Sequence, residues 1–116
     1  MTITLYGIKN CDSVKKARKW MEQQQLAYQF HDFRTDGISQ EWLANIETKV
    51  GWDLLLNKRS TTFRQLDESV KNTLCKQSAL ELMYQNPTLI KRPVTESEAV
   101  TLVGFKPDVF AEAFNS

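Results

Sequence analysis

The sequence predicts a mixed α/β fold, and three features of its patterning carry the prediction. A strand, an amphipathic helix and a second strand follow one another at the start of the chain. The middle has helical apolar spacing and helix-start signals, and the end has strand, strand and helix signals. The order β-α-β, helical insertion, β-β-α describes one α/β domain over residues 1–116.

Each element has its own local reason. Thr2 to Tyr6 alternates Ile3 and Leu5 with threonines, the period-two pattern of a strand, and Gly7 ends it. From Asp12 onward Val14, Ala17, Trp20 and Met21 recur at helical spacing, with Lys15, Lys16, Arg18 and Lys19 between them, so a helix runs to near Gln24. Tyr28 and Phe30 then alternate with Gln29 and His31 in a second strand. A single helical crossover makes these two strands parallel. Ile38, Ser39 and Leu43 have the spacing of a hydrophobic staple around an N-cap, followed by the apolar stripe Trp42, Leu43, Ile46 and Val50. A short Asp53–Asn57 turn and the capping-box patterns Thr62-Phe63-Arg64-Gln65 and Ser78-Ala79-Leu80-Glu81 predict three further helical pieces, closed by Asn86-Pro87. Beyond them lie extended segments at Leu89-Ile90, Val94-Thr95 and Val100–Val103, read as a short antiparallel pair. Pro107 opens the last helix, with Phe110, Ala113 and Phe114 on one face.

Composition narrows the function classes. With 41% hydrophobic and 25% charged residues the chain is globular in type, and a net charge of +1 from fifteen basic and fourteen acidic residues argues against a general nucleic-acid binder. No stretch reaches the ~18 consecutive apolar residues of a membrane span, and Met1 to Tyr6 lacks the basic and long apolar regions of a secretory signal. These features predict a soluble, cytoplasmic, monomeric protein without membrane partners.

The two cysteines call for separate readings. Cys11 falls in Gly7-Ile8-Lys9-Asn10-Cys11-Asp12, between the first strand and the first helix. The unpaired N–H groups and macrodipole of a helix start favour a thiolate there; Lys9 and Lys15 push the same way and Asp12 opposes them. The competing reading is a small residue filling a turn. Cys75 is read as structural, because it lies inside the helical insertion with no helix start to activate it. Position 14 is Val, so Cys11 has no Cys-x-x-Cys partner. One histidine and two distant cysteines make no metal site, and His31 is read as an exposed strand residue.

Four blocks then carry a resemblance over essentially the whole chain: Leu5-Tyr6-Gly7-Ile8-Lys9-Asn10-Cys11-Asp12, Leu55-Leu56-Asn57-Lys58-Arg59, Asn86-Pro87-Thr88-Leu89-Ile90-Lys91-Arg92-Pro93, and Val103-Gly104-Phe105-Lys106-Pro107. The sequence resembles the ArsC/Spx/YffB family, in particular its YffB-type branch. The resemblance implies a thioredoxin-like sheet with a helical insertion, Cys11 as nucleophile, and an anion site at the positions of Arg59, Arg92 and Lys106. The third position carries arginine in arsenate reductases of this family, and a lysine there keeps the charge but loses the bidentate fork that suits an oxyanion. The family's cis-proline falls on Pro93, where its backbone would hold a substrate disulfide or glutathione opposite the cysteine. Taken as three solvated surface cations, Arg59, Arg92 and Lys106 would have the ordinary fate of such residues; Arg34 is a lesser candidate for the anion site.

The resemblance and the chemistry of Cys11 together imply a thiol–disulfide reductase that binds no cofactor and uses glutathione as co-substrate. The alternatives are an arsenate reductase of the ArsC type and an Spx-like regulator that makes a weak contact with RNA polymerase. That last branch generally uses a Cys-x-x-Cys switch, whose second position is Val14 here.

Overall fold

A computed structural model describes residues 2–114. The chain forms two compact units, Met1–Gly37 with Arg92–Ser116, and Ile38–Lys91.

The first unit is built on a four-stranded sheet. Strand β1 (Thr4–Gly7) is followed by helix α1 (Asp12–Gln23) and strand β2 (Gln29–Asp32), and the chain returns to this unit as β3 (Val94–Glu96), β4 (Thr101–Val103) and a last helix, Pro107–Phe114. The strand order is β2-β1-β3-β4. The helical crossover makes β1 and β2 parallel, while β3 is antiparallel to both β1 and β4. Gly7 lies within β1 and pairs with Asp32; the strand does not stop before it.

Val14, Ala17 and Met21, one face of α1, pack with Ile3, Leu5, Phe110 and Phe114 in a single apolar cluster. The ring of Phe110 meets Trp20, Phe105 and Phe114 edge-on at centroid distances of 5.7, 4.8 and 5.7 Å. Leu5 pairs with Thr95 and Thr95 with Leu102, so these three side chains share the face of the sheet that carries the cluster. Thr95 is fully buried, and its hydroxyl has no hydrogen-bond partner among the described residues.

The second unit is helical: α2 (Gln40–Val50), α3 (Trp52–Leu55), α4 (Thr61–Arg64), α5 (Glu68–Asn72), α6 (Lys76–Gln85) and a 3-10 turn, Pro87–Leu89. Numbered in order, the final helix of the first unit is α7. Ser39 caps α2 as its spacing predicted, accepting from the Trp42 N–H at 3.0 Å. The buried carboxylate of Glu47 accepts from the Trp52 N–H at the start of α3, and its other oxygen lies 3.5 Å from Lys76 Nζ. One side chain thus ties three helices together.

Several boundaries differ from the sequence reading. The cap of α4 is Ser60, which accepts from the Phe63 N–H at 3.1 Å, while the Thr62 hydroxyl pairs with Thr88. Helix α6 starts before Ser78, because the Ser78 hydroxyl reaches back to the Cys75 N–H at 3.0 Å and makes Cys75 the N-cap. Helix α5 had no strong local signal. Leu89-Ile90 joins no strand of the sheet: Ile90 bridges Leu56 within the helical unit, where Asn57 donates to Leu89 and Lys91 to Leu55.

Candidate active site

Antiparallel pairing of Tyr6 with Val94 puts the end of β1 and the start of β3 at one end of the sheet. The turn that carries Cys11 leaves β1 there, and Arg92 and Pro93 enter β3 there. Residues 81 positions apart in sequence therefore become neighbours by strand register alone. Val94 also pairs with Val103, and Gly104 donates to the Pro93 carbonyl at 2.8 Å, which brings the segment leading to Lys106 to the same end. Because β2 runs parallel to β1, the loop after Asp32, with Arg34, emerges there as well.

Cys11 is the N-cap of α1, with an extended backbone at φ −98° and ψ 127°. Its N–H donates to the Ile8 carbonyl at 3.2 Å, closing the turn after β1, and its own carbonyl accepts the first helical bond from Lys15 at 3.0 Å. The side chain is half-buried against the apolar cluster of its unit. Burial of the thiol pushes its pKa up, but the Val14 amide, the Arg92 guanidinium beside the sulfur and the Ser13 amide outweigh it, so the pKa is lowered. The Cys11 side chain makes no full capping hydrogen bond. The Val14 and Ser13 amides act on it as nearby N–H dipoles. The cation at work is Arg92, in place of the Lys9 and Lys15 expected from proximity in sequence.

The other expected residues fall out as follows. The Arg92–Pro93 peptide bond is cis, and Pro93 is buried. Lys106 is exposed just before α7 and lines a shallow surface cavity with Leu102, Gly104 and Val109. Arg59 is exposed in the helical unit, on the turn after α3, where its N–H donates to Asn57 Oδ1 at 3.2 Å. Arg34 is exposed, its backbone held by Asp32 at 2.8 Å. His31 is half-buried, not exposed. Its Nε2 lies 2.6 Å from the Gly37 carbonyl, which can only accept, so this nitrogen carries the hydrogen. Among the described residues no group of three His, Cys, Asp or Glu side chains is placed to hold a metal ion.

Cys75 departs most from its sequence reading. It is exposed at the start of α6, and the Ser78 hydroxyl, 3.5 Å from its sulfur, together with the Ser78 amide lowers its pKa. A helix N-terminus therefore does not distinguish the two thiols. A charged partner does: Arg92 acts on Cys11, whereas the charge felt by Cys75 is Glu81, which opposes ionisation. The Cys-x-x-Ser spacing from Cys75 to Ser78 was the signal for this helix start, hidden by the stronger-looking Ser78-x-x-Glu81 box.

The sequence profile of the ArsC family matches residues 6–113. The chain belongs to the ArsC family. An uncharacterised protein from Haemophilus influenzae is 51% identical over 112 residues, covering 97% of this chain and 98% of its own. A solved structure described as the YffB (PA3664) protein superposes with a TM-score of 0.91 at 50% identity, over 96% of this chain and 97% of that one. A global transcriptional regulator Spx from Listeria innocua is more distant, at 32% identity over 91% of this chain and 82% of its own. The four-stranded mixed sheet with its helices is the thioredoxin-like fold of the ArsC family. No helix among the described residues is long and apolar enough to cross a membrane.

Proposed function

We propose that this ArsC-family protein is a glutathione-dependent thiol–disulfide reductase with Cys11 as its single nucleophile. The observation that carries the reading is the Arg92 guanidinium beside a half-buried Cys11 whose pKa is lowered. The Cys11 thiolate attacks the glutathionyl sulfur of a mixed disulfide. The old S–S bond breaks, the substrate thiolate leaves and takes a proton, and Cys11 is left glutathionylated. A second glutathione, as thiolate, attacks that sulfur, releasing oxidised glutathione and restoring the Cys11 thiolate. The resolving thiol comes from outside because Val14 stands where a local partner would be. Glutathione carries two carboxylates, which suit Arg92 and, with the roles implied by the family resemblance, Arg59 and Lys106. Pro93 is assigned the backbone contact to the bound thiol. The protein is proposed to act as a cytoplasmic monomer with no bound cofactor.

Mass spectrometry after exposure to oxidised glutathione tests this. A glutathionyl adduct should form on Cys11 and be absent from Cys11→Ser; an adduct confined to Cys75, or none, would refute it.

Arsenate reduction is the second reading, favoured by the same guanidinium beside the thiol, since a tetrahedral oxyanion fits an arginine fork. Lys106 in the third cation position ranks it lower. An Spx-like contact with RNA polymerase ranks below both, supported by similarity to the Listeria regulator and weakened by Val14. Stoichiometric recovery of the polymerase with the tagged protein would move it up.

A further inference from the structure

Gly7 and Val14 are packed more closely than any other residue at position 7 would allow. A Cβ added to Gly7 would lie 2.6 Å from Val14 Cγ2, with Cγ1 and Cβ of the same side chain at 3.5 and 3.6 Å. The glycine is not there for its backbone: the glycines with positive φ are Gly37, Gly51 and Gly104. What position 7 requires is the absence of a side chain.

The collision has no easy relief. Val14 is fully buried in the cluster with Leu5 and Ala17, and a β-branched side chain in a helix has one strongly preferred rotamer, so Cγ2 cannot swing aside. The strand cannot retreat freely either. Gly7 pairs with Asp32, and its carbonyl accepts from the Phe33 N–H at 2.8 Å. The first turn of α1 is the part left to move, and it carries Cys11 as N-cap.

The geometry points to Gly7 as a positioning residue for Cys11: by leaving room for the Val14 side chain against the end of β1, it fixes where the first turn of α1, with Cys11 at its N-cap, sits. This rests on Cys11 being the reactive thiol of the proposed reductase. Val14 links the two residues, because its side chain meets Gly7 while its own backbone N–H is among the influences that lower the thiol pKa. A methyl group at position 7 would push that amide away through the side chain of the same residue.

The test is the pH dependence of iodoacetamide alkylation at Cys11, resolved from Cys75 by peptide mapping, in wild type, Gly7→Ala and Gly7→Ala/Val14→Ala. Gly7→Ala should shift the Cys11 profile to higher pH and slow alkylation below neutrality by about three- to tenfold, the size of a modest pKa change. The double variant removes the two methyls nearest the added Cβ and should restore the wild-type profile. A general loss of stability would not produce that rescue, since the second substitution empties a buried site. A folded Gly7→Ala with the wild-type profile, or a double variant that keeps the shift, would overturn the proposal. If Gly7→Ala does not fold, the double variant decides: folded with a wild-type profile it supports the proposal, and otherwise it refutes it. The readout is alkylation and not turnover. A shifted profile in Gly7→Ala with no glutathionyl adduct in wild type would uphold the role of Gly7 and refute the reductase. An adduct in wild type with an unshifted Gly7→Ala profile would do the reverse.

Discussion

At the scale of single residues, the two thiols separate two causes of acidity that sequence alone runs together. Both sit at helix N-caps, yet only Cys11 has a guanidinium beside it. Arg92→Ala should therefore raise the Cys11 pKa and slow its alkylation by iodoacetamide below neutral pH while leaving Cys75 as it was. Ser78→Ala should instead raise the Cys75 pKa and slow its alkylation while leaving Cys11 as it was, because the Ser78 hydroxyl is the largest influence on Cys75. Equal effects of either substitution on both thiols would show that the local partners do not set reactivity. The lowered pKa has a consequence for stability as well. A thiol that ionises more readily in the folded state than in the unfolded one stabilises the fold fully above the unfolded pKa, and the stabilisation is lost as pH falls through the folded pKa. The melting temperature of wild type relative to Cys11→Ser should therefore climb as pH rises between those two values. A flat difference would mean that the Cys11 pKa is the same in both states.

At the scale of elements, local chemistry was legible where a single residue does the work. Ser39 capped α2 as its spacing predicted, and Ser39→Ala should cost about 1 kcal/mol, read from chemical denaturation. Strand β3 offers a contrasting case. The Thr95 hydroxyl lies buried without a partner among the described residues, on the face of the sheet that carries the core, so Thr95→Val should leave stability unchanged or raise it, where deleting a satisfied buried hydroxyl would lower it by about 1 kcal/mol. A clear loss of stability in Thr95→Val would reveal a bond that this packing lacks. The misread boundaries share a cause: several hydroxyls stand near each helix start, and the one that caps is chosen by what surrounds it. Thr62 was drawn to Thr88 and left the cap to Ser60, and Ser78 turned back to Cys75 and lengthened α6. Leu89-Ile90 has the composition of a strand, but its partner is the Leu55–Asn57 stretch in the helical unit. The convergence of Cys11 and Arg92 was legible only through the family resemblance, since strand register brings them together and no spacing in the sequence encodes it.

At the scale of the whole molecule the charges nearly cancel, fifteen basic against fourteen acidic, so no long-range field draws an anionic substrate to the protein. Attraction has to come from local cations, and Arg92 is the one the structure sets beside Cys11. In the proposed reductase, loss of one charge-assisted hydrogen bond in Arg92→Ala should weaken apparent affinity by roughly ten- to hundredfold, from about 1.5–3 kcal/mol. The screening length falls from about 30 Å at 0.01 M salt to about 8 Å at 0.15 M, which weakens exposed charges such as Lys106 more than a guanidinium packed against the thiol. Wild-type kcat/KM should thus decline with salt, and Lys106→Ala should flatten the decline, whereas Arg92→Ala should lower the whole curve. Lys106→Arg gives the sharpest discrimination between substrates. It restores a bidentate fork at an exposed position without changing the net charge, so it should improve arsenate handling more than reduction of a glutathione mixed disulfide. Measuring both activities in wild type and Lys106→Arg at low and high salt checks this directly. Equal gains in the two activities would mean that Lys106 acts only as a point charge, and no gain in either would return it to the solvated surface.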